Sequence, residues 1–386
     1  MNPARRSKLR EDLRPDAARL AALADRHGTP LLVLQPQMVA RRYRELAARL
    51  SGFRLHYAVK ACPHPIVLST IAICGGSFDV ATNAEIALLQ QLGLPMDRCI
   101  HTNPIKKPGD IDVAYAAGIR TFVVENACEA DKFAGRAADI EVLVRLAFRN
   151  PTAKSDLSSK FGVEPADAEL LVKHVLAAGV QFAGFSFHVG SQGSSPLPYG
   201  TALQGTLELI AHIADSLDVQ ARVIDIGGGF PVAYREQVPT VDAIAGVIND
   251  VLGPSRSKFT LLAEPGRYLA ADCMTLLSGV VGTAEREGEV WHYLDDGVYG
   301  SYSNVMTEDV HPPILALREF VDHAVVEYEP VTLAGPTCDS ADVIARGYPM
   351  PALDIGDIVV SPMMGAYTSV TSSRFNGIPA TPIVMS

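Results

Sequence analysis

The chain has 386 residues, of which 48% are hydrophobic and 20% charged, and it carries a formal net charge of −10. That composition supports two or three domains with large cores and excludes a disordered protein; the acidic balance, without a dense Lys/Arg run, argues against nucleic acid as a partner. Met1-Asn2-Pro3-Ala4-Arg5-Arg6 has no apolar signal core behind it, and no apolar run is long enough to span a bilayer. The six cysteines (Cys62, Cys74, Cys99, Cys128, Cys273, Cys338) are scattered, without C-x-x-C or zinc-like spacing. The expectation is a cytoplasmic protein with reduced thiols, no membrane contact and no metal.

Residues 1–28 read as a helical lead-in, with Leu9, Leu13, Ala17, Leu20 and Leu23 at helical spacing. Gly28-Thr29-Pro30 breaks it, a short strand follows at 31–34, and a second helix runs from about 37 to 50. Next, Leu55-His56-Tyr57-Ala58-Val59 forms an apolar strand that carries Lys60 to its end, where Pro63 and Pro65 stop it. Period two puts Leu55, Tyr57 and Val59 on one side and His56, Ala58 and Lys60 on the other. A cation on a half-buried strand end is costly unless it has a partner or gives up its charge. A lysine held as a Schiff base and a snorkelling lysine both answer that requirement.

From there a rhythm sets in. Strands are predicted near 55–59, 77–81, 99–102, 121–124, 141–147, 182–187, 222–226 and 260–263, with helices between them at 84–92, 108–117, 165–178 and 202–216. Thr82 and Glu85 have the spacing of a capping box. Eight strands alternating with helices predict an α/β fold built on a closed (β/α)8 barrel, with a doubly wound sheet as runner-up. The predicted strand ends carry Lys60, Asp79, Asn103, Arg145, His188, Asp225 with Gly227-Gly228-Gly229, and Glu264 followed by Arg267. Singly, Asp79 reads equally as a helix cap, His188 as a core histidine and the glycines as a turn; together, in a barrel, they share the face where active sites form. After Glu264 short β-branched segments and Gly/Pro turns take over, at 275–283, 290–294, 324–328, 331–334 and 355–361. The predicted division is a barrel at 36–268 and a β-sandwich-like domain built from 1–35 and 269–386.

Tyr57-Ala58-Val59-Lys60, Phe187-His188-Val189-Gly190-Ser191, Asp225-Ile226-Gly227-Gly228-Gly229-Phe230-Pro231 and Ala263-Glu264-Pro265-Gly266-Arg267-Tyr268 resemble motifs of the pyridoxal-phosphate (PLP) decarboxylases that share a fold with alanine racemase. Asp296-Gly297-Val298-Tyr299-Gly300, Gly335-Pro336-Thr337-Cys338-Asp339-Ser340 and Gly365-Ala366-Tyr367-Thr368 agree, in the same order, and resemble the ornithine/lysine branch over residues 29–377. The resemblance implies that Lys60 holds the PLP aldehyde, and that Gly227, Gly228, Gly229, Gly266, Arg267, Ser191 and Tyr367 cradle the phosphate. Glu264 would face the ring nitrogen and His188 the ring, with Asp79 and Arg145 in support. Cys338 would return a proton to the substrate α-carbon. Tyr299, Asp339 and Phe375 would line the substrate site. Where the family usually has Tyr-Asp this chain has Thr307-Glu308, so Glu308, or Asp309 if the segment is shifted by one, is the candidate for the substrate's distal group.

The resemblance further implies a homodimer with shared active sites, in which the β domain of one subunit serves the other and Lys160 pairs with Asp342 across the boundary. Arg149–Ser159, polar and without periodicity, reads as a mobile loop over the pocket. The implied reaction is decarboxylation of a basic amino acid in polyamine biosynthesis, L-ornithine first, L-lysine second, arginine or a specialised substrate as the alternative. A racemase lacks support because Cys338 takes the protonation position, and an inactive regulatory homologue remains the non-enzymatic alternative.

Overall fold

The computed structural model describes residues 1–321 and 327–386. The chain divides into two compact units: Val39–Val232 with Val238–Leu269, and Met1–Met38 with Ala233–Gln237 and Ala270–Ser386. Ala233–Gln237 thus leaves the first unit and packs with the second.

A strand β1 (Leu31–Leu34) belongs to the second unit; the first is a closed parallel barrel. Its strands are β2 (Phe53–Ala58), β3 (Ser77–Val80), β4 (Cys99–His101), β5 (Thr121–Val124), β6 (Glu141–Leu146), β7 (Gln181–Phe187), β8 (Val223–Asp225) and β9 (Thr260–Ala263). β2 closes the barrel on β9 through Phe53↔Leu261 and Leu55↔Ala263. Alternate residues turn inwards, so Ile100, Val123, Leu143, Ala183, Val223 and Leu262 fill one buried cluster. Polar residues near the C-terminal strand ends sit above a packed floor. The capping box is formed: Glu85 N–H donates to Thr82 Oγ1 (3.3 Å), and Glu85 Oε2 accepts from Thr82 N–H (3.2 Å). It starts the helix Asn83–Gln91 three residues after β3 and fixes the direction of that strand's exit.

The second unit is mostly sheet. Strands β10 (Met274–Arg286), β11 (Glu289–Leu294), β12 (Leu315–Ala316), β13 (Glu329–Ala334), β14 (Val343–Met350) and β15 (Ile358–Ser361) run in the order β12-β15-β10-β11-β13-β14. β1 joins antiparallel to β10 and parallel to β16 (Ile383–Met385), so the two ends of the chain meet in one sheet. The N-terminal helix Pro3–Leu13 is anchored by Arg6, whose Nη2 and Nε donate to Glu319 Oε1 (2.7 Å) and Oε2 (3.0 Å). Arg6 is 5% exposed and Glu319 fully buried. Removing one partner of such a pair strands a buried charge and costs about 3–5 kcal/mol.

Three local expectations change. The lead-in is two helices, Pro3–Leu13 and Ala17–His27, separated by a 3-10 turn at Arg14–Asp16, because Pro15 offers no N–H to continue the first. The strand expected to reach Lys60 stops at Ala58, and Val59–Ala61 is a 3-10 turn. Ala58 N–H donates to Pro265 O (3.2 Å), which ties the exit of β2 to the exit of β9. Of the strand expected at 324–328, residues 324–326 lie outside the described residues, whereas β14 and the helix Val241–Leu252 add to the expected elements.

Candidate active site

Lys60 stands on the turn just beyond β2, its Nζ 3.2 Å from Oδ2 of Asp79, whose side chain is 1% exposed. The lysine side chain is itself 48% exposed, so the pair joins a buried anion to an accessible amine. The other carboxylate oxygen, Asp79 Oδ1, accepts a 2.5 Å hydrogen bond from the hydroxyl of buried Thr102, just past β4. Sequence reading passed over Thr102, because a single hydroxyl after a strand carries no motif.

The exits of β7, β8 and β9 crowd around Gly227-Gly228-Gly229. A Cβ on Gly227 would lie 2.3 Å from Phe187 O, on Gly228 2.5 Å from Glu264 O, and on Gly229 2.2 Å from Gly190 O. Gly227 and Gly229 also have positive φ (+67° and +91°), which L side chains rarely adopt. Backbone therefore packs directly on backbone, a concave arrangement suited to a compact anion. The loop is held from outside by Gly227 N–H to Asp225 Oδ1 (2.9 Å) and by the Tyr199 hydroxyl to Gly228 O (2.8 Å). His188 lies against it, its Nε2 3.2 Å from where a Gly228 Cβ would be, and accepts from Gly190 N–H at Nδ1 (3.0 Å). Arg267, 5% exposed, opens the short helix Arg267–Ala270, and Gly266 O accepts from Leu269 N–H.

The loop expected to be mobile makes hydrogen bonds to this region. Ser155 and Ser191 exchange backbone hydrogen bonds (2.9 and 3.3 Å). Asn150, 3% exposed, donates to Val189 O (2.6 Å) while its Oδ1 accepts from the N–H and hydroxyl of Thr152 (3.0 and 2.7 Å). Ser191 is half-buried beneath that loop. A polar sequence without periodicity looked unattached; its backbone bonds and one buried amide attach it.

Electrostatically the site is acid-rich. Burial raises Glu264 well above the ordinary carboxylate range, and Asp225 and Asp79 add to the shift, against Lys60. Burial likewise raises Asp225 to about 6, against stabilising bonds from Glu264 and Gly227 N–H. His188 is held neutral by burial and by the nearby Arg145 and Lys60 charges. Arg145, at the end of β6, is depressed by burial and supported by Glu264, Glu125, Asp79 and Asp225. Its Nη2 is buried and has no hydrogen-bond partner among the described residues. Lys60, Asp79, Arg145, His188, Asp225 and Glu264 thus act on one another at one mouth of the barrel.

The remaining candidates lie in the sheet unit. Tyr299 donates its hydroxyl to Asp339 Oδ2, its ring lies 4.6 Å from that of Phe375, and exposed Cys338 contacts Asn376 through Sγ (3.3 Å). These four form one solvent-facing cluster. Asp339 is held below the usual carboxylate range by the Ala341 N–H and then by the Tyr299 hydroxyl. Glu308 ends the helix Ser303–Glu308 and is half-buried; Asp309, in the left-handed region, pairs with His311 (2.7 Å). Tyr367 is a further left-handed residue of this unit (φ 53°). Asp342 is held within this unit. It is 2% exposed, Oδ1 accepts from Val298 N–H (2.8 Å), and Oδ2 accepts from Thr337 N–H (3.0 Å) and hydroxyl (2.7 Å). Asp342 staples two loops of its own unit, and Lys160 is exposed and lies over Phe161.

The barrel mouth fits pyridoxal phosphate. An accessible amine, a side-chain-free backbone cradle, a cluster of carboxylates and the orphaned Arg145 donor answer its aldehyde, phosphate, ring nitrogen and ring oxygen. Comparison with known proteins points the same way. The profile of the pyridoxal-dependent decarboxylase, pyridoxal binding domain matches residues 37–271. A lysine/ornithine decarboxylase of Selenomonas ruminantium is 36% identical over 368 residues, 94% of this chain and 91% of that one. Antizyme inhibitor 2 of Xenopus laevis is 32% identical over 361 residues, 89% of this chain and 78% of that one. Among solved structures, the lysine/ornithine decarboxylase of Vibrio vulnificus complexed with putrescine superposes with a TM-score of 0.89 at 38% identity, covering 96% of this chain and 98% of the other.

Proposed function

The chain belongs to the pyridoxal-dependent decarboxylases of basic amino acids, and from that premise we propose that it converts L-ornithine, and L-lysine second, to the diamine and CO2. The observation that carries the reading is the meeting of Lys60–Asp79 with Glu264 at the exits of adjacent strands, beside the triple-glycine cradle. When bound, pyridoxal phosphate supplies an aldehyde for the substrate amine and a ring that accepts the electron pair left behind by CO2.

The chain's own residues do the rest. Lys60 is the residue that would hold the cofactor aldehyde until a substrate amine takes its place, with Asp79 keeping its nitrogen in position. Glu264, which burial alone favours in its protonated form, would hold a protonated ring nitrogen, because pairing with a cation in contact offsets the desolvation that raises the carboxyl. His188, kept neutral, packs against the ring without competing for that charge. The cradle and Arg267 fix the phosphate.

Cys338 Sγ is the proton donor to the substrate α-carbon. Asp339, which its hydrogen bonds keep ionised, receives the distal ammonium, and Tyr299 and Phe375 flank the carbon chain. Exposure of this cluster suits a homodimer in which the sheet unit of one subunit completes the mouth of the other.

Glu308 favours a second reading, a longer or guanidinium-bearing substrate. It is one methylene longer than the aspartate usual in the family and sits half-buried at a helix C-terminus, where a carboxylate gains from a cationic partner. A panel assay of CO2 and amine release from ornithine, lysine, arginine and their derivatives tests both. Ornithine should give the highest kcat/KM, and Glu308→Asp should alter the ornithine-to-lysine ratio about tenfold. An unaltered ratio removes Glu308 from the pocket. Cofactor uptake with no CO2 from any substrate would make the chain a regulatory homologue.

A further inference from the structure

Asp79 is gripped at both oxygens. Oδ2 meets Lys60 Nζ at 3.2 Å, and Oδ1 accepts the Thr102 hydroxyl at 2.5 Å, both groups being buried except for the lysine. Thr102 is itself fixed along its backbone. Its N–H donates to Val80 O (3.2 Å), which carries the β3–β4 pairing one residue past the end of β4. The residue after it is held in turn by Lys106, whose buried Nζ donates to Asn103 O (2.8 Å), Pro104 O (3.1 Å) and Val123 O (2.6 Å). The hydroxyl is therefore delivered to one place by a rigid segment, and its single proton goes to a carboxylate in a short, charge-assisted bond.

We propose that Thr102 is a positioning residue for the cofactor-binding lysine: its hydroxyl locks the rotation of the Asp79 carboxylate so that the second oxygen faces the Lys60 nitrogen. A carboxylate on a two-carbon stem turns freely about its last bond unless both oxygens are held. The surroundings give Asp79 other places to turn. His56 on its neighbouring strand, Glu85 at the helix cap, Arg145, Asp225 and Glu264 all act on it or on its partners. Arg145 is one competitor, a buried cation whose Nη2 has no hydrogen-bond partner among the described residues. Without the hydroxyl, Asp79 would be drawn towards that guanidinium, and the lysine nitrogen would lose the anion that fixes its position.

The inference rests on the proposed role of Lys60, and the test separates the two. Pyridoxal phosphate is added to the purified full-length protein, and the rate of appearance and the pH midpoint of the long-wavelength absorbance band are recorded for wild type, Thr102→Val, Thr102→Ser and Lys60→Ala. If wild type gives no band that Lys60→Ala abolishes, the cofactor reading fails. With that band present, Thr102→Val should lower its pH midpoint by about one unit and slow cofactor capture about tenfold. Thr102→Ser, which keeps the hydroxyl and loses the methyl, should restore most of both. An unmoved midpoint in Thr102→Val, or a serine variant as impaired as the valine one, overturns the proposal. Melting temperature is measured alongside, and Thr102→Ala is read in the same way if the valine variant does not fold.

Discussion

Gly228→Ala isolates what the triple-glycine loop contributes. Unlike its neighbours, Gly228 does not have positive φ, so an alanine there meets no backbone strain, only space. The new methyl would lie 2.5 Å from Glu264 O, against about 3.4 Å for an ordinary contact, so β8 or β9 must give by about 0.9 Å. Glu264 O is a backbone atom rather than the tip of a flexible side chain, and the second neighbour, His188 Nε2 at 3.2 Å, crowds the sideways escape. Overpacking of this kind costs about 1–3 kcal/mol. It also moves the peptide that carries the Glu264 carboxylate, and a displacement near 1 Å in a positioned group lowers function by up to about 100-fold. Cofactor affinity, followed by fluorescence or absorbance titration, should therefore fall 10- to 100-fold, and urea unfolding should show the stability loss. Gly246→Ala is the control. It lies in the helix Val241–Leu252 with nothing within 4 Å of the added carbon, and should gain roughly 0.5–1 kcal/mol. A Gly228→Ala protein that binds cofactor as tightly as wild type would show that close backbone approach is not what forms the cradle.

Cys338→Ala should uncouple CO2 release from diamine release, with diamine formation slowed by about 100-fold or more; equal and unchanged yields of both would place the proton donor elsewhere. His101→Phe should flatten the acid side of the stability curve. His101 is buried, stacked on Phe122 at 5.8 Å, and neither ring nitrogen has a hydrogen-bond partner; burial, then Lys106, lowers it from 6.5 to about 4. Between those values the unfolded chain binds the proton and the folded one does not, so stability is lost as pH falls from 6.5 to 4, by roughly 3 kcal/mol in all. Buried His56 contributes in the same direction, so the phenylalanine variant retains part of the slope. Parallel urea-unfolding curves for the two proteins across pH 4–7 would refute the assignment.

The sequence reading reached the barrel because alternation of strand and helix periods is a local signal repeated eight times, and register errors in one strand do not erase it. It reached Lys60, Asp79, Arg145, His188 and Glu264 because each is a polar residue ending an apolar run. What it missed depends on contacts distant in the chain. Thr102 matters through a residue 23 positions away, and Arg6 through one 313 away. Neither partner announces the other. The polar stretch around Asp342 carries no sign that three donors from two loops of its own unit hold its carboxylate. In the loop after Arg149, Asn150 binds backbone through a side-chain amide that composition cannot distinguish from solvent exposure. β14 escaped because Val343–Met350 contains Gly347 and Pro349, which in sequence read as breakers.

The charges at the barrel mouth explain why these residues tolerate one another. Asp79, Asp225 and Glu264 face two cations, Lys60 and Arg145, with His188 held neutral. Asp79 is satisfied by its two hydrogen bonds. The excess falls on the Asp225–Glu264 pair, whose members are both pushed towards their protonated forms. An acid in that condition discriminates: a neutral ring gains an ordinary hydrogen bond from it, whereas a basic ring nitrogen takes its proton and becomes the missing cation. The arrangement is expensive to fold, because buried carboxylates gain nothing from one another. The same repulsion favours a cationic partner at this mouth, and the Glu264 N–H donates to Gly227 O (2.8 Å), which anchors that preference to the glycine loop.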